Sequence, residues 1–262
     1  MLDFLRASWL LFQCELGGTL RAKRTKVAAL LALGPVVLAM FVVQVALHEG
    51  PRPSVEIGYV FSQQVIVPLL SLILGSGVVA TEVTERTISY PFTRPMPRPA
   101  LLVGRWMASV VALLLILLPS VSAMLWVLET GFPGGIGNEI PDGVVGPLVR
   151  GVVVGSIVYS AVFAALGTII KYPMIVGLGY GFAFEVLLAN LPGKSQGLSI
   201  QYHLRCYVID GGSEAWRDVA QLSESAALES GAEAFSTLMW TLAIALALGS
   251  YFVSRRQYVL PS

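Results

Sequence analysis

The densest set of chemistry-bearing residues in this chain lies between positions 81 and 106, TEVTERTISYPFTRPMPRPALLVGRW. Glu82 and Glu85 stand about one helical turn apart, and Arg86 and Thr87 follow directly. Pro91, Pro95, Pro97 and Pro99 then break the chain, with Arg94 and Arg98 between them. Carboxylates and guanidinium groups on a stiff, proline-broken element suit ion-pair docking against another protein better than bond-making. The prolines forbid one regular helix through the region. The spacing predicts a short helix near 81–90, a rigid turn, and re-entry into apolar sequence at Leu101. An ordinary positively charged loop is the plainer reading; the length and the mixed charge argue against it.

Signatures of catalysis are missing. The chain has no GxxxxGK[ST] loop to cradle nucleotide phosphates and no GxSxG, and His48-Glu49 has no second histidine at helical spacing. The two histidines, His48 and His203, are far apart in sequence and lack the partners a metal site needs. These absences predict a protein without a catalytic, cofactor-binding or metal site of its own. The remaining polar candidates sit inside apolar runs. Glu185 is a carboxylate at membrane depth, which is costly unless it faces protein or water. One reading is a structural partner for Arg150 or for a backbone terminus; the other, a place on a path through the membrane. Gln63 and Gln64, with Gln44, either line a path through the membrane or hydrogen-bond between helices.

The elements that position these residues follow from composition. The chain is 55% hydrophobic and 13% charged, with mean hydropathy +0.75, whereas soluble domains carry about 25% charged residues. Lipid must be its main solvent. A net charge of +1 points to no nucleic acid. A span needs about 20 apolar residues, and the runs 27–47, 57–80, 101–128, 148–170, 173–191 and 234–253 predict six. The fold class is therefore all-α and polytopic, a single domain over 1–262. Positions 1–20 contain Asp3 and Glu15 and no cleavage site, so they do not read as a signal peptide.

Lys and Arg set the orientation. With the N-terminus inside, inner segments hold Arg6, Arg21, Lys23, Arg24, Lys26, Arg86, Arg94, Arg98, Arg105, Lys171, Arg255 and Arg256. Outer segments hold Arg52, Arg150, Lys194, Arg205 and Arg217. Both termini are expected in the cytoplasm, in a cell inner (plasma) membrane. Leu5, Trp9, Phe12, Leu16 and Leu20 share a helical face, so 1–26 predicts an amphipathic cytoplasmic segment, lying on the inner leaflet or packed on protein, or both. The outer segment 192–233 carries Asp210, Glu214, Asp218, Glu224, Glu229 and Glu233 and is helical in parts. This topology separates Cys14 from Cys206; the latter reads as a partly buried free thiol, with a bridge between two copies as the alternative. Gly151/Gly155 and Gly177/Gly181 are GxxxG pairs that permit close helix approach within one chain or between two.

The 81–106 stretch resembles the type-2 permease subunits of ATP-binding-cassette (ABC) exporters. Their segment between spans two and three carries an acidic residue, Gly/Arg-Thr-Leu, Pro-Val-Ser-Arg, then Leu-Leu-Leu-Gly-Lys. Here the counterparts are Glu82, Arg86-Thr87-Ile88, Pro95-Met96-Pro97-Arg98 and Leu101-Leu102-Val103-Gly104-Arg105. Pro91 departs from the pattern and shortens the helix it permits. The amphipathic N-terminus, six spans and long outer segment before the last span agree with the family. The resemblance implies a cytoplasmic coupling helix that enters a groove on a separate ATPase, with Glu82, Glu85, Arg86, Thr87, Pro95 and Arg98 as its contact residues. It implies a second permease chain, identical or not, and two ABC ATP-binding subunits that carry the ATP and Mg. It also implies that the fifth span breaks near its outer end, where Glu185 would cap the break or line the exit. The expected function is a permease for an unidentified, exported substrate. The alternative is a non-transporting scaffold or sensor that binds an extracytoplasmic protein through 192–233.

Overall fold

The computed structural model describes residues 2–45, 58–78, 98–135, 140, 143–170, 172–185, 194–210 and 229–255. Among the described residues there are helices and turns and no strand. The helices are α1 (Leu2–Arg21), α2 (Lys23–Leu31), α3 (Gly34–Val45), α4 (Val67–Gly75), α5 (Arg98–Thr130), α6 (Val145–Ile169), α7 (Pro173–Leu178), α8 (Ile200–Asp210) and α9 (Gly231–Arg255). π-helical turns at Gly58–Ile66 and Gly179–Phe184 precede α4 and follow α7, and a 3-10 turn at Lys194–Leu198 precedes α8.

Among the described residues four helices are long and apolar enough to cross a membrane: Lys23–Val45 (α2 and α3 together), Pro99–Thr130, Val145–Ile169 and Gly231–Arg255. They coincide with the expected runs 27–47, 101–128, 148–170 and 234–253. The other two expected runs are different. In 57–80 the apolar helix is the shorter Tyr59–Gly75. In 173–191 the chain leaves α-geometry at Gly179 and turns through a π-helical stretch to Phe184. Neither is a continuous helix of spanning length over its described residues.

The core is built around α4. Val67, Pro68, Leu70, Ser71, Leu72, Ile73, Leu74 and Gly75 are all buried, as expected of a helix that is apolar on every side. It packs on α6 at van der Waals limits. A Cβ on Gly75 would lie 2.8 Å from the Ser160 carbonyl oxygen, and one on Gly167 would lie 2.7 Å from that of Ser76. Leu113, Leu117, Met124 and Leu128 of α5, with Leu148, Tyr159 and Phe163 of α6, close the cluster.

The helix of the first candidate span is interrupted by a turn at Ala32–Leu33, and Pro35, which has no N–H, stands in the first turn of α3, where none is needed. In a hydrocarbon environment every freed backbone group needs a partner, and the Ser120 hydroxyl, next to Pro119, donates to the Ala32 carbonyl. Both GxxxG pairs are used inside the chain: Gly151 faces Gln63 and Val208, Gly155 faces Leu204 and Val67, and Gly177 and Gly181 face Phe163. The packing decides an alternative that the sequence leaves open.

The two ends of the bundle differ in charge. Val253 near the end of α9 packs with Val78, Leu102 and Ala164, which brings Arg255 to the end that holds Arg105 and the α1–α2 junction. At the opposite end Asp210 accepts from the Gly231 amide at 3.1 Å, near Glu229 and Glu233, with Arg150 in the same recess.

Candidate functional site

Glu185 ends the π-helical turn and is 1% exposed. Oε1 accepts from the Tyr180 hydroxyl at 2.9 Å and the Ile200 amide at 3.2 Å. Oε2 accepts from the Ser199 hydroxyl at 2.8 Å, the Gln201 amide at 3.1 Å and the Tyr159 hydroxyl at 3.3 Å. Ser199 Oγ in turn accepts the Tyr202 amide at 3.4 Å. The first turn of any α-helix leaves backbone N–H groups unsatisfied and carries partial positive charge. Here Glu185 takes the first two N–H groups of α8, and Ser199, in the N-cap position, takes the third. The carboxylate is thus fully hydrogen-bonded, the condition under which burying a charge is tolerable.

Of the alternatives for Glu185, the contacts are those of a cap on a backbone terminus. Arg150 instead lines a recess with Tyr207, Asp210, Gly231, Ala232 and Phe235. Gln63 is buried, and neither amide atom of its side chain has a hydrogen-bond partner. Gln64 is half-buried and pairs with the Tyr59 hydroxyl. Gln44 is exposed near the end of α3. Glu185, Gln63 and Gln64 therefore do not share one hydrogen-bonded site.

Tyr159, Tyr180 and Ser199 are functional neighbours that sequence reasoning missed. Ser199 had a local signal, a serine ahead of the helical pattern Ile200–Asp210. Tyr180 lies five residues before Glu185 on the same turn, a spacing that meets only because the turn is π-helical, and Tyr159 had no local signal, because α6 meets Glu185 only through the tertiary fold.

A second constellation lies at the basic end. Arg105 Nη2 contacts Glu15 Oε1 at 2.7 Å, and Arg105 Nε contacts the same oxygen at 3.1 Å. One residue earlier, a Cβ on Gly104 would lie 2.6 Å from the Ser8 carbonyl oxygen and 2.8 Å from Leu11 Cβ. Glycine lets α1 seat directly on the first turns of α5. Ala7, Ser8 and Thr19 of α1 are buried, while Leu5, Trp9, Leu10 and Leu20 are exposed. The apolar stripe expected from the sequence thus mostly faces away from the protein, with Phe12 and Leu16 half-buried. Glu82, Glu85, Arg86, Thr87 and Pro95 lie outside the described residues, and Arg98 opens α5.

At the acidic end His203 is buried, with Nδ1 3.1 Å from Glu229 Oε2 and Nε2 3.0 Å from the Gly197 carbonyl. Cys206 is buried and unbridged, and Cys14 is exposed. Burial pushes the Cys206 thiol above its ordinary value, so it rests as an unreactive thiol. Among the described residues there is no group of three or more His, Cys, Asp or Glu placed to hold a metal. No protein-family model matches this chain, and no curated protein matches it.

Proposed function

We propose that this chain is the membrane-spanning permease subunit of an ABC exporter, with six spans and both termini in the cytoplasm of a cell inner membrane. In this reading a second permease chain completes the translocation path. Two ATP-binding subunits, which hold the ATP and Mg, dock on the 81–100 segment. The exported substrate is unidentified.

The observation that carries the reading is the seat of α1 on Gly104 and Arg105. These two residues close the stretch that resembles the coupling segment of type-2 permeases, and they are where that stretch re-enters the bundle. Glu15 ties α1 to this point through an ion pair whose Arg105 side is buried. The exposed Leu5, Trp9, Leu10 and Leu20, flanked by Arg6, Arg21, Lys23 and Lys26, suit an inner-leaflet surface. Displacement of the 81–97 segment by a docked ATPase would therefore move α5 and α1 as one piece. The π-helical stretch Gly179–Phe184 is in keeping with this reading, since π-helical turns inside helices occur frequently at functional sites.

The test is charge reversal at Glu82 and Glu85. Glu82→Lys with Glu85→Lys is expected to abolish co-purification of an ATP-binding subunit while leaving thermal stability of the permease unchanged. Undiminished co-purification removes the coupling assignment.

A further inference from the structure

Beside the Glu185 cap, a cavity of about 330 Å³ lies between α6, the turn after α7, α8 and α9. Its long walls are Val162, Leu166 and Ile169 on α6 and Ile244 and Leu248 on α9. From Thr237 to Leu248 the lining of α9 covers ~16 Å of helix rise. That volume spread over that length makes a slot one chain wide, and small ligand sites fall in the range of about 300–1,000 Å³. Both long walls belong to candidate spans, and Ile244 and Leu248 at the edge are 54% and 47% exposed. The slot therefore opens toward the hydrocarbon of a bilayer.

The acidic end of the slot carries Tyr180, Ser199, His203, Thr237 and Thr241. Each of these side chains already spends its protons on the protein. Tyr180 and Ser199 donate to Glu185. Thr237 donates to the Glu233 carbonyl at 3.1 Å and Thr241 to the Thr237 carbonyl at 2.8 Å. Both ring nitrogens of His203 face protein acceptors. What the hydroxyls still offer a guest is oxygen lone pairs. A head group that donates a hydrogen bond is matched by them. An anionic head group finds no uncommitted donor among these described side chains.

We propose that this slot is a binding site for an uncharged long-chain alcohol or a lipid with a hydroxyl head, its chain between α6 and α9 and its head among Tyr180, Thr237 and Thr241. The assignment is independent of any ATPase partner.

The test uses the full chain reconstituted in phosphatidylcholine vesicles with a hexadecan-1-ol that carries a photoreactive diazirine in mid-chain. Peptide mapping is expected to show saturable labelling of α6 and α9 around Leu166 and Ile244. Unlabelled hexadecan-1-ol should compete about tenfold better than hexadecyl phosphate, the weight of roughly one hydrogen bond made or forfeited. Ala245→Phe, which fills the slot, should lower that labelling about tenfold by the same affinity scale. Labelling of the exposed Val37 and Phe41 on α3 should be unchanged, which also reports an intact fold. Leu248→Trp, at the exposed mouth, repeats the test with less burden on the core. Unsaturable labelling that is equal on α3 and in the slot would mean ordinary bilayer contact and overturn the site. Equal competition by the alcohol and the phosphate would overturn the head-group assignment.

Discussion

Glu185 shows how a buried charge becomes a structural joint. Its five donors come from α6, the turn after α7, the N-cap serine and two amides of α8, so one carboxylate holds three elements. Glu185→Gln keeps the shape but replaces one acceptor oxygen with a donor that faces donors. That variant is expected to lose about 2 kcal/mol, the cost of leaving buried hydrogen-bond groups unmatched, read as a lower melting temperature in mild detergent. Ser199→Ala is expected to lose about 1 kcal/mol, as for other N-caps. Unchanged melting in both would contradict the cap. Transport that remains normal at reduced stability would remove Glu185 from the pathway. A pH dependence belongs at this scale too. Burial, then the neighbouring Cys206, pushes the Tyr202 phenol from 10 up to about 12. The folded state holds that proton more tightly than the unfolded chain, so its contribution is complete below pH ~10 and is lost as the pH rises through ~12. Tyr202→Phe should flatten the alkaline limb of a stability profile in that window.

At the scale of elements, α1 and α5 behave as one body because glycine and an ion pair meet at adjacent positions. Gly104→Leu is expected to lift α1 from α5, read as faster proteolysis near Arg6 and a shifted Trp9 emission, with the α4–α6 core intact. Reversing the pair, Glu15→Arg with Arg105→Glu, should restore much of the seating that either single change loses, whereas equal defects in single and double variants would argue that the pair contributes nothing. The elements were unevenly legible in the sequence. Long apolar runs mark α5, α6, α9 and the α2–α3 unit, because the length of a span is a one-dimensional property. The stripe Leu5, Trp9, Phe12, Leu16 and Leu20 marked α1 as amphipathic but left open whether it faces lipid or protein; Leu5, Trp9 and Leu20 are exposed, and Phe12 and Leu16 are half-buried. The departures from α-geometry at Gly58–Ile66 and Gly179–Phe184 were not legible in the residue pattern, since neither stretch holds a proline; for the fifth span only the resemblance implied an interruption, without placing it at particular residues. The Glu185 cage was hidden for a different reason: its partners, Tyr159 and Ser199, are far from it in sequence and only packing unites them. The partner of Arg105 was equally out of reach, because Glu15 lies on another helix 90 positions earlier.

For the whole molecule, the proposed orientation rests on the distribution of Lys and Arg. In that reading the end with Arg21, Lys23, Lys26, Arg105 and Arg255 lies on the cytoplasmic side, as the positive-inside rule favours, and the end with Asp210, Glu229 and Glu233, which also holds Arg150, lies on the outer side. Cys14 is exposed at the basic end. A membrane-impermeant maleimide should label it in inside-out vesicles and leave it untouched in right-side-out ones. Buried Cys206 should stay unlabelled from either side until the protein is denatured. Labelling of Cys14 from the outer face would invert the topology and place the 81–100 segment beyond reach of any cytoplasmic ATPase.

The most direct test of the central claim is ATP hydrolysis by the complex isolated in mild detergent through a tag on this chain. The account predicts a co-purifying ATP-binding subunit whose hydrolysis is retained with the native permease and lost when Glu82 and Glu85 are both changed to lysine. An intact, correctly inserted permease that brings down no ATP-binding subunit and no hydrolysis would contradict it.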